Sequence, residues 1–179
     1  INGYVSNYRL VKGTAVYTSN FTPSTTPLTA ITNTSLLTCQ SNRFKDNSAN
    51  NFALTVTGTP SVQRFSPFNP TSAYSTSVIG GSAYTSGGGY LTSSNSGTVS
   101  SGQNFTCEGW IYLTQATDNT EIAICAADLS VIQGTSGSNL YSYDGSFHSW
   151  GAAIPLNRWC YLTIMRSGST AYVWKDGIY

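Results

Sequence analysis

Short runs of alternating apolar and polar residues, separated by Gly, Ser, Asn and Asp, constrain the fold of this chain most strongly. Residues 105–113 and 159–165 carry apolar side chains at every second position, which is the period of a β-strand. No long segment shows the apolar period of a helix. Many short strands bounded by turn residues are typical of a sandwich. The sequence therefore predicts an all-β, antiparallel β-sandwich with few or no helices.

Two Asp-Gly pairs predict tight hairpin turns. Asp144-Gly145 lies between the aromatic runs 140–143 and 147–150, and Asp176-Gly177 follows the alternating run 171–174. We expect a hairpin at the first pair. At the second pair we expect a turn into a strand just past the last residue.

The composition is that of a β-rich surface protein and excludes two classes of partner. Charged residues make up 8% of the chain, against roughly 25% in typical domains, while Ser and Thr number 26 and 24. An aromatic content of 13% argues against disorder. The net charge of +1 without a basic run predicts no nucleic-acid binding. The lack of about 18 consecutive apolar residues predicts no membrane insertion.

Four cysteines leave two interpretations open. Cys39, Cys107, Cys125 and Cys160 have no C-x-x-C spacing, so a metal or redox motif is not favoured. Three of them lie in apolar runs, where reduced, buried thiols are common. The alternative is at least one disulfide.

Paired carboxylates and nucleophile motifs are missing from the sequence. The seven acidic residues do not form the E-x-D-x-x-E spacing that glycan hydrolases of this architecture use, and Glu108 stands alone on its predicted strand. No G-x-S-x-G elbow accompanies His148, the single histidine. The sequence therefore predicts no catalytic residue and no enzyme, with a structural role for Glu108.

Two loop carboxylates are the candidates for a metal ion. Asp46 and Asp118 each precede an Asn, and Ca²⁺ is bound by carboxylate and carbonyl oxygens. No D-x-D-x-D cluster is present. We expect no cofactor, and a Ca²⁺ site at Asp46 or Asp118 is the alternative.

The segment 140–150 is aromatic and polar at once, which suits a sugar. Tyr and Trp stack on the apolar face of a sugar ring while Asp, Ser or His bond its hydroxyls. The alternative is that these aromatic rings pack in the sandwich or at a subunit contact. The candidate glycan-binding residues are Tyr141, Tyr143, Asp144, His148 and Trp150.

Several segments, in order and spacing, resemble a laminin-G-like (concanavalin A-like) jelly roll. Residues 105–110 match the F-T-x-E-x-W strand of that family, 159–166 match its W-x-x-x-x-x-x-R strand, and 173–177 match its closing hairpin. The opening also fits, at Leu36-Leu37 and 44–48, although the acidic residue usual after Leu-Leu is missing. Residues 53–58 and 89–91 resemble the family strands that follow this opening.

The resemblance also predicts the domain organisation. Residues 3–10 resemble the last strand of such a domain, so 1–20 are expected to be the closing strand and loop of a preceding, or permuted, jelly roll. A Thr/Pro-rich linker is expected at 21–34. Residues 35–179 would form a laminin-G-like jelly roll that lacks its final strands.

The stretches 12–23 and 27–41 resemble inter-domain segments of large structural proteins from cyanophages and other marine phages. This resemblance implies a tail-fibre-like module on the virion surface, extracellular and adhesive. Its expected partners are further copies of itself or other virion proteins, and a host-surface glycan. Alternatives are a secreted bacterial adhesin or filament subunit and, less favoured, a glycoside hydrolase.

Overall fold

A computed structural model describes residues 1–68, 75, 80–93, 99–100, 102–115, 120–126, 129–133, 139–143 and 146–179. Within these residues the chain forms strands and irregular segments and no helix. The strands are β1 (Gly3–Lys12), β2 (Thr34–Thr38), β3 (Leu54–Thr57), β4 (Ser61–Gln63), β5 (Ser82–Thr85), β6 (Tyr90–Ser93), β7 (Phe105–Leu113), β8 (Thr120–Ala126), β9 (Leu129–Gln133), β10 (Asn139–Tyr143), β11 (Phe147–Ala152), β12 (Trp159–Ser167) and β13 (Thr170–Lys175).

The strands pair antiparallel in three sheets. A seven-stranded sheet has the order β13-β12-β7-β1-β5-β4, with β2 also paired to β1. A four-stranded sheet has the order β11-β10-β9-β8, and β3 and β6 form a two-stranded ribbon. Leu140 of the four-stranded sheet packs with Phe105 and Ile164 of the seven-stranded sheet in one apolar core. The predicted all-β, antiparallel sandwich is confirmed.

In β7 and β12 every second side chain faces the core, as the sequence predicts. Register pairs Cys107 with Ile164 and Ile111 with Cys160, so these side chains share the inner face. All four are buried in the main core. Because successive strand residues point to opposite faces, the residues between them form a second, outer face of the same sheet.

β1 lies in the middle of the seven-stranded sheet. It pairs with β7 along both halves, with β5 at its start and with β2 at its end. β1 thus lies in the same sheet as β7, β12 and β13. The register slips between Ser6 and Arg9, where the buried Asn7 has a φ of 55°.

A β-bulge at Asn7 explains two features of its neighbours. Asn tolerates the left-handed region better than most residues, and a bulge bends the strand locally. Across from it, a Cβ at Gly109 would meet the Tyr8 Cα at 3.2 Å and the Asn7 carbonyl oxygen at 3.3 Å. Glycine at 109 lets the two strands approach this closely.

The two predicted hairpin turns are both observed as chain reversals. β10 and β11 pair directly, with Tyr143 opposite Phe147, although Asp144 and Gly145 themselves lie outside the described residues. At Asp176 and Gly177 both φ angles are positive, at 53° and 79°, which is the type I′ geometry. The turn is closed by reciprocal backbone hydrogen bonds between Lys175 and Ile178.

Candidate functional site

The β10–β11 hairpin holds the predicted glycan-binding residues at one edge of the four-stranded sheet. Backbone register places Tyr141 opposite Ser149 and Ser142 opposite His148. His148 and Ser149 are exposed, and Tyr141 is half-buried. Directly paired residues share a face and successive residues alternate, so Tyr141 and Ser149 lie on one face of the hairpin and His148 lies on the other.

Of the other three predicted glycan-binding residues, the two that the structure describes lie in different surroundings. Trp150 packs against the main core while part of it stays accessible, as the packing alternative expects. Tyr143 lies at the last position of β10, opposite Phe147. Asp144 lies outside the described residues.

Asp46 is a buried carboxylate that is surrounded by hydrogen-bond donors. Its Oδ1 accepts from the backbone N–H groups of Leu37 and Ser48, at 3.0 and 2.8 Å. Its Oδ2 accepts from the Ser48 hydroxyl at 2.8 Å and the Phe52 N–H at 2.9 Å. These contacts give Asp46 the role of closing the 46–52 turn onto β2. The other Ca²⁺ candidate, Asp118, lies outside the described residues.

Glu108 is the centre of a polar cluster on the outer face of the seven-stranded sheet. Glu108 and Arg9 are 1% and 6% exposed, and Arg9 Nε donates to Glu108 Oε1 at 2.8 Å. The second oxygen, Oε2, accepts from the Tyr17 hydroxyl at 2.7 Å and from the Tyr161 hydroxyl at 2.6 Å. Arg9 also donates to the Thr29 carbonyl at 2.7 Å.

The cluster fastens a long irregular segment over the sheet. Residues 13–33, here called the strap, run from β1 to β2 and contribute both Tyr17 and Thr29 to the cluster. Leu28 of the strap packs against Leu37 and Tyr161 in a second apolar cluster. Glu108 thus accepts four hydrogen bonds, two from Arg9 and one each from Tyr17 and Tyr161, and these join three strands and the strap.

Burial sets the ionisation of the two tyrosines. Desolvation, and next the negative charge of Glu108, raise the pKa of Tyr17 well above its ordinary value of 10.0. The same two causes raise the pKa of Tyr161 above its ordinary value. Both hydroxyls therefore stay protonated and donate to Glu108 throughout the neutral range.

Sequence reasoning singled out Glu108 but missed its hydrogen-bond partners. Arg9, Tyr17 and Tyr161 lie 99, 91 and 53 positions away from it in the chain. One signal was present: Glu108 is the one charged residue in the predicted strand 105–113. A buried carboxylate needs a cation and donors, but the sequence does not say which of eight basic residues supplies the charge.

The described residues hold few features of a cofactor or membrane site. No group of three or more His, Cys, Asp or Glu side chains among them is placed to hold a metal ion. A cavity of about 20 Å³ beside the β1 bulge, lined by Tyr8, Cys107 and Gly109 among others, has room for about one water molecule. No helix in the described part of the chain is long and apolar enough to cross a membrane.

No known protein family, curated protein or solved structure matches this chain. The class that the fold itself defines is an antiparallel, all-β sandwich with a polar cluster buried under a strap.

Proposed function

We propose that this chain is an adhesive structural module of a virion or comparable extracellular surface, which assembles with copies of itself or neighbouring proteins and recognises a host-surface glycan. The virion setting rests on the resemblance of residues 12–23 and 27–41 to inter-domain segments of phage structural proteins. The adhesive role rests on the β10–β11 hairpin, where the half-buried Tyr141 lies opposite the exposed Ser149 and on the same face of the sheet.

The chemistry of this hairpin suits a sugar. A half-buried tyrosine is held rigidly yet leaves part of its ring accessible, and such rings stack on the apolar face of a pyranose. The Ser149 hydroxyl, on the same face as this ring, supplies a polar group for sugar hydroxyls. Because Trp150 packs against the core from the same strand, the hairpin has a fixed base, which reduces the ordering cost of binding.

Binding to a glycan array tests this proposal. The chain is fused to a trimerising tag so that weak single sites gain avidity. We expect binding to one glycan class that is lost in Tyr141→Ala and weakened in Ser149→Ala. The matched control is Tyr90→Ala, which removes a tyrosine 53% exposed on β6, in another sheet. Equal binding by all four proteins, or no binding by any, would contradict the adhesive role of the hairpin.

A further inference from the structure

A row of four aromatic side chains crosses the outer face of the seven-stranded sheet, away from the strap cluster. Register pairs Tyr4 on β1 with Tyr84 on β5 and with Tyr112 on β7, and pairs Tyr112 with Trp159 on β12. Directly paired residues point to the same face. Tyr84, Tyr4, Tyr112 and Trp159 therefore form one line across four adjacent strands, here called the aromatic row.

The rings of the aromatic row touch one another and stay accessible. Ring centroids are 4.9 Å apart for Tyr4 and Tyr84, 5.8 Å for Tyr4 and Tyr112, and 5.6 Å for Tyr112 and Trp159. Phe65, from the loop after β4, packs within 4.9–5.1 Å of three of them. All five residues are half-buried, so packing fixes the orientation of their rings while part of each residue stays accessible. The indole Nε1 of Trp159 is buried and has no hydrogen-bond partner among the described residues.

The hydroxyls of this surface are free to bind a ligand. No hydroxyl of Tyr4, Tyr84 or Tyr112 makes a hydrogen bond within the described part of the chain, and none is among the buried polar atoms. Each therefore faces solvent, unlike the hydroxyls of Tyr17 and Tyr161. The rings of this surface can stack on a ligand, and the unpaired hydroxyls beside them can form hydrogen bonds to it.

We propose that the aromatic row is a binding surface for an extended, neutral glycan chain, separate from the β10–β11 hairpin. The row contains no charged side chain, and the ion pair beside it, Arg158 with Asp176, is internally neutral. Three strand intervals of about 4.8 Å give the row a length of about 14 Å, which suits several consecutive sugar units. The proposal does not depend on the hairpin, which belongs to the other sheet.

Affinity gel electrophoresis with soluble polysaccharides tests the aromatic row. The probes are a mixed-linkage β-glucan, a galactomannan and a xylan, with anionic alginate as the charge control. We expect at least one neutral probe to retard the protein. Retardation by alginate alone would overturn the proposal, because it would show an electrostatic contact such as one at the exposed Arg64.

Variants separate stacking from hydroxyl contacts and from the hairpin. Trp159→Ala should weaken binding about tenfold, the loss expected for one stacked ring. The triple variant Tyr4→Phe, Tyr84→Phe and Tyr112→Phe keeps every ring and should weaken polysaccharide binding several-fold. If Trp159→Ala fails to fold, this triple variant is the test of the proposal. Tyr90→Ala should bind like the unmodified protein, whereas binding through the hairpin would survive both row variants. Unchanged binding in both row variants would overturn the proposal.

A protein partner is the competing occupant, since tyrosine and tryptophan are also enriched at protein interfaces. Sedimentation velocity over a range of concentrations detects a second copy of this chain on the row. Suppose that dimers form with increasing concentration, that they disappear in Trp159→Ala, and that no polysaccharide retards the protein. The glycan proposal would then be overturned, and the aromatic row would be a surface for self-association.

Discussion

Glu108 illustrates how a single residue is accommodated when its charge lies inside a protein layer. A buried carboxylate is unfavourable unless a cation and hydrogen-bond donors replace water. Here Arg9 supplies the cation, and the hydroxyls of Tyr17 and Tyr161 satisfy the second oxygen. Removing any one member leaves the others buried and partly unpaired, so the cluster behaves as a unit.

Replacing Glu108 by Gln should strongly destabilise the fold. The side chain keeps its size, but the buried Arg9 guanidinium loses its counter-charge, and breaking a buried pair costs about 3–5 kcal/mol. Urea unfolding followed by tryptophan fluorescence gives the change in unfolding free energy. The control is Arg158→Gln, in an ion pair whose side chains are 56% and 33% exposed, where we expect a loss under about 1 kcal/mol. If the two variants lost similar amounts of unfolding free energy, burial would not determine how much each ion pair contributes to stability.

At the scale of elements, the strap follows the sheet closely although it contains no strand. Its backbone is held at several points along the sheet: Val16 N–H donates to the Thr106 hydroxyl at 2.9 Å, and Leu28 N–H donates to Asn7 Oδ1 at 2.8 Å. Phe21 N–H donates to the Gly177 carbonyl at 3.0 Å. Such contacts replace the ladder bonds that an irregular segment lacks.

Thr106→Val should loosen the start of the strap more than the sheet beneath it. The valine has the same shape but cannot accept from Val16 N–H or donate to the Thr14 carbonyl, which the threonine hydroxyl reaches at 3.0 Å. Hydrogen–deuterium exchange read by mass spectrometry should show faster exchange at 14–17, with little change in β12. The control is Thr92→Val, at an exposed position of β6. Equal acceleration across both elements would indicate global destabilisation without a local opening.

The sequence predicted the elements whose information is local, and missed those that depend on distant partners. β7, β12 and the β10–β11 hairpin follow from period-2 patterns and Asp-Gly turns. The central place of β1 depends on pairing with residues about 100 positions away, which no local pattern encodes. The aromatic row was missed for the same reason, because its members come from four strands that only the sheet order brings together.

At the scale of the molecule, the seven-stranded sheet is packed on both faces. Its inner face meets Leu140 and Ile154 in the main core, and much of its outer face is covered by the strap. This double coverage explains why a chain with 8% charged residues buries Arg9, Glu108 and three free thiols, those of Cys39, Cys107 and Cys160. These three cysteines follow the reduced-core interpretation of the sequence.

Buried thiols and phenols together make the whole fold sensitive to alkali. Burial raises the pKa of Cys39 and of Cys160 from 9.0 to about 12, and it raises the pKa of Tyr17 and Tyr161 above 10.0. In the unfolded chain these groups ionise at their ordinary values. Above pH 9 the folded protein therefore binds more protons than the unfolded chain, and the unfolding free energy falls as pH rises. Well below pH 9 all four groups are protonated in both states, so they do not make the unfolding free energy depend on pH.

Each such group should lower the unfolding free energy by about 1.4 kcal/mol per pH unit between its unfolded and folded pKa. Urea unfolding at pH 8.0, 9.5 and 10.5, in degassed buffer with a reducing agent, measures the fall. Cys39→Ala removes one titrating thiol without adding a polar group, so its curve should fall less steeply than that of the unmodified protein over the same range. An unfolding free energy that stays constant from pH 8.0 to 10.5 would mean that these side chains reach solvent in the folded state, against the burial on which the two-faced packing of the sheet depends.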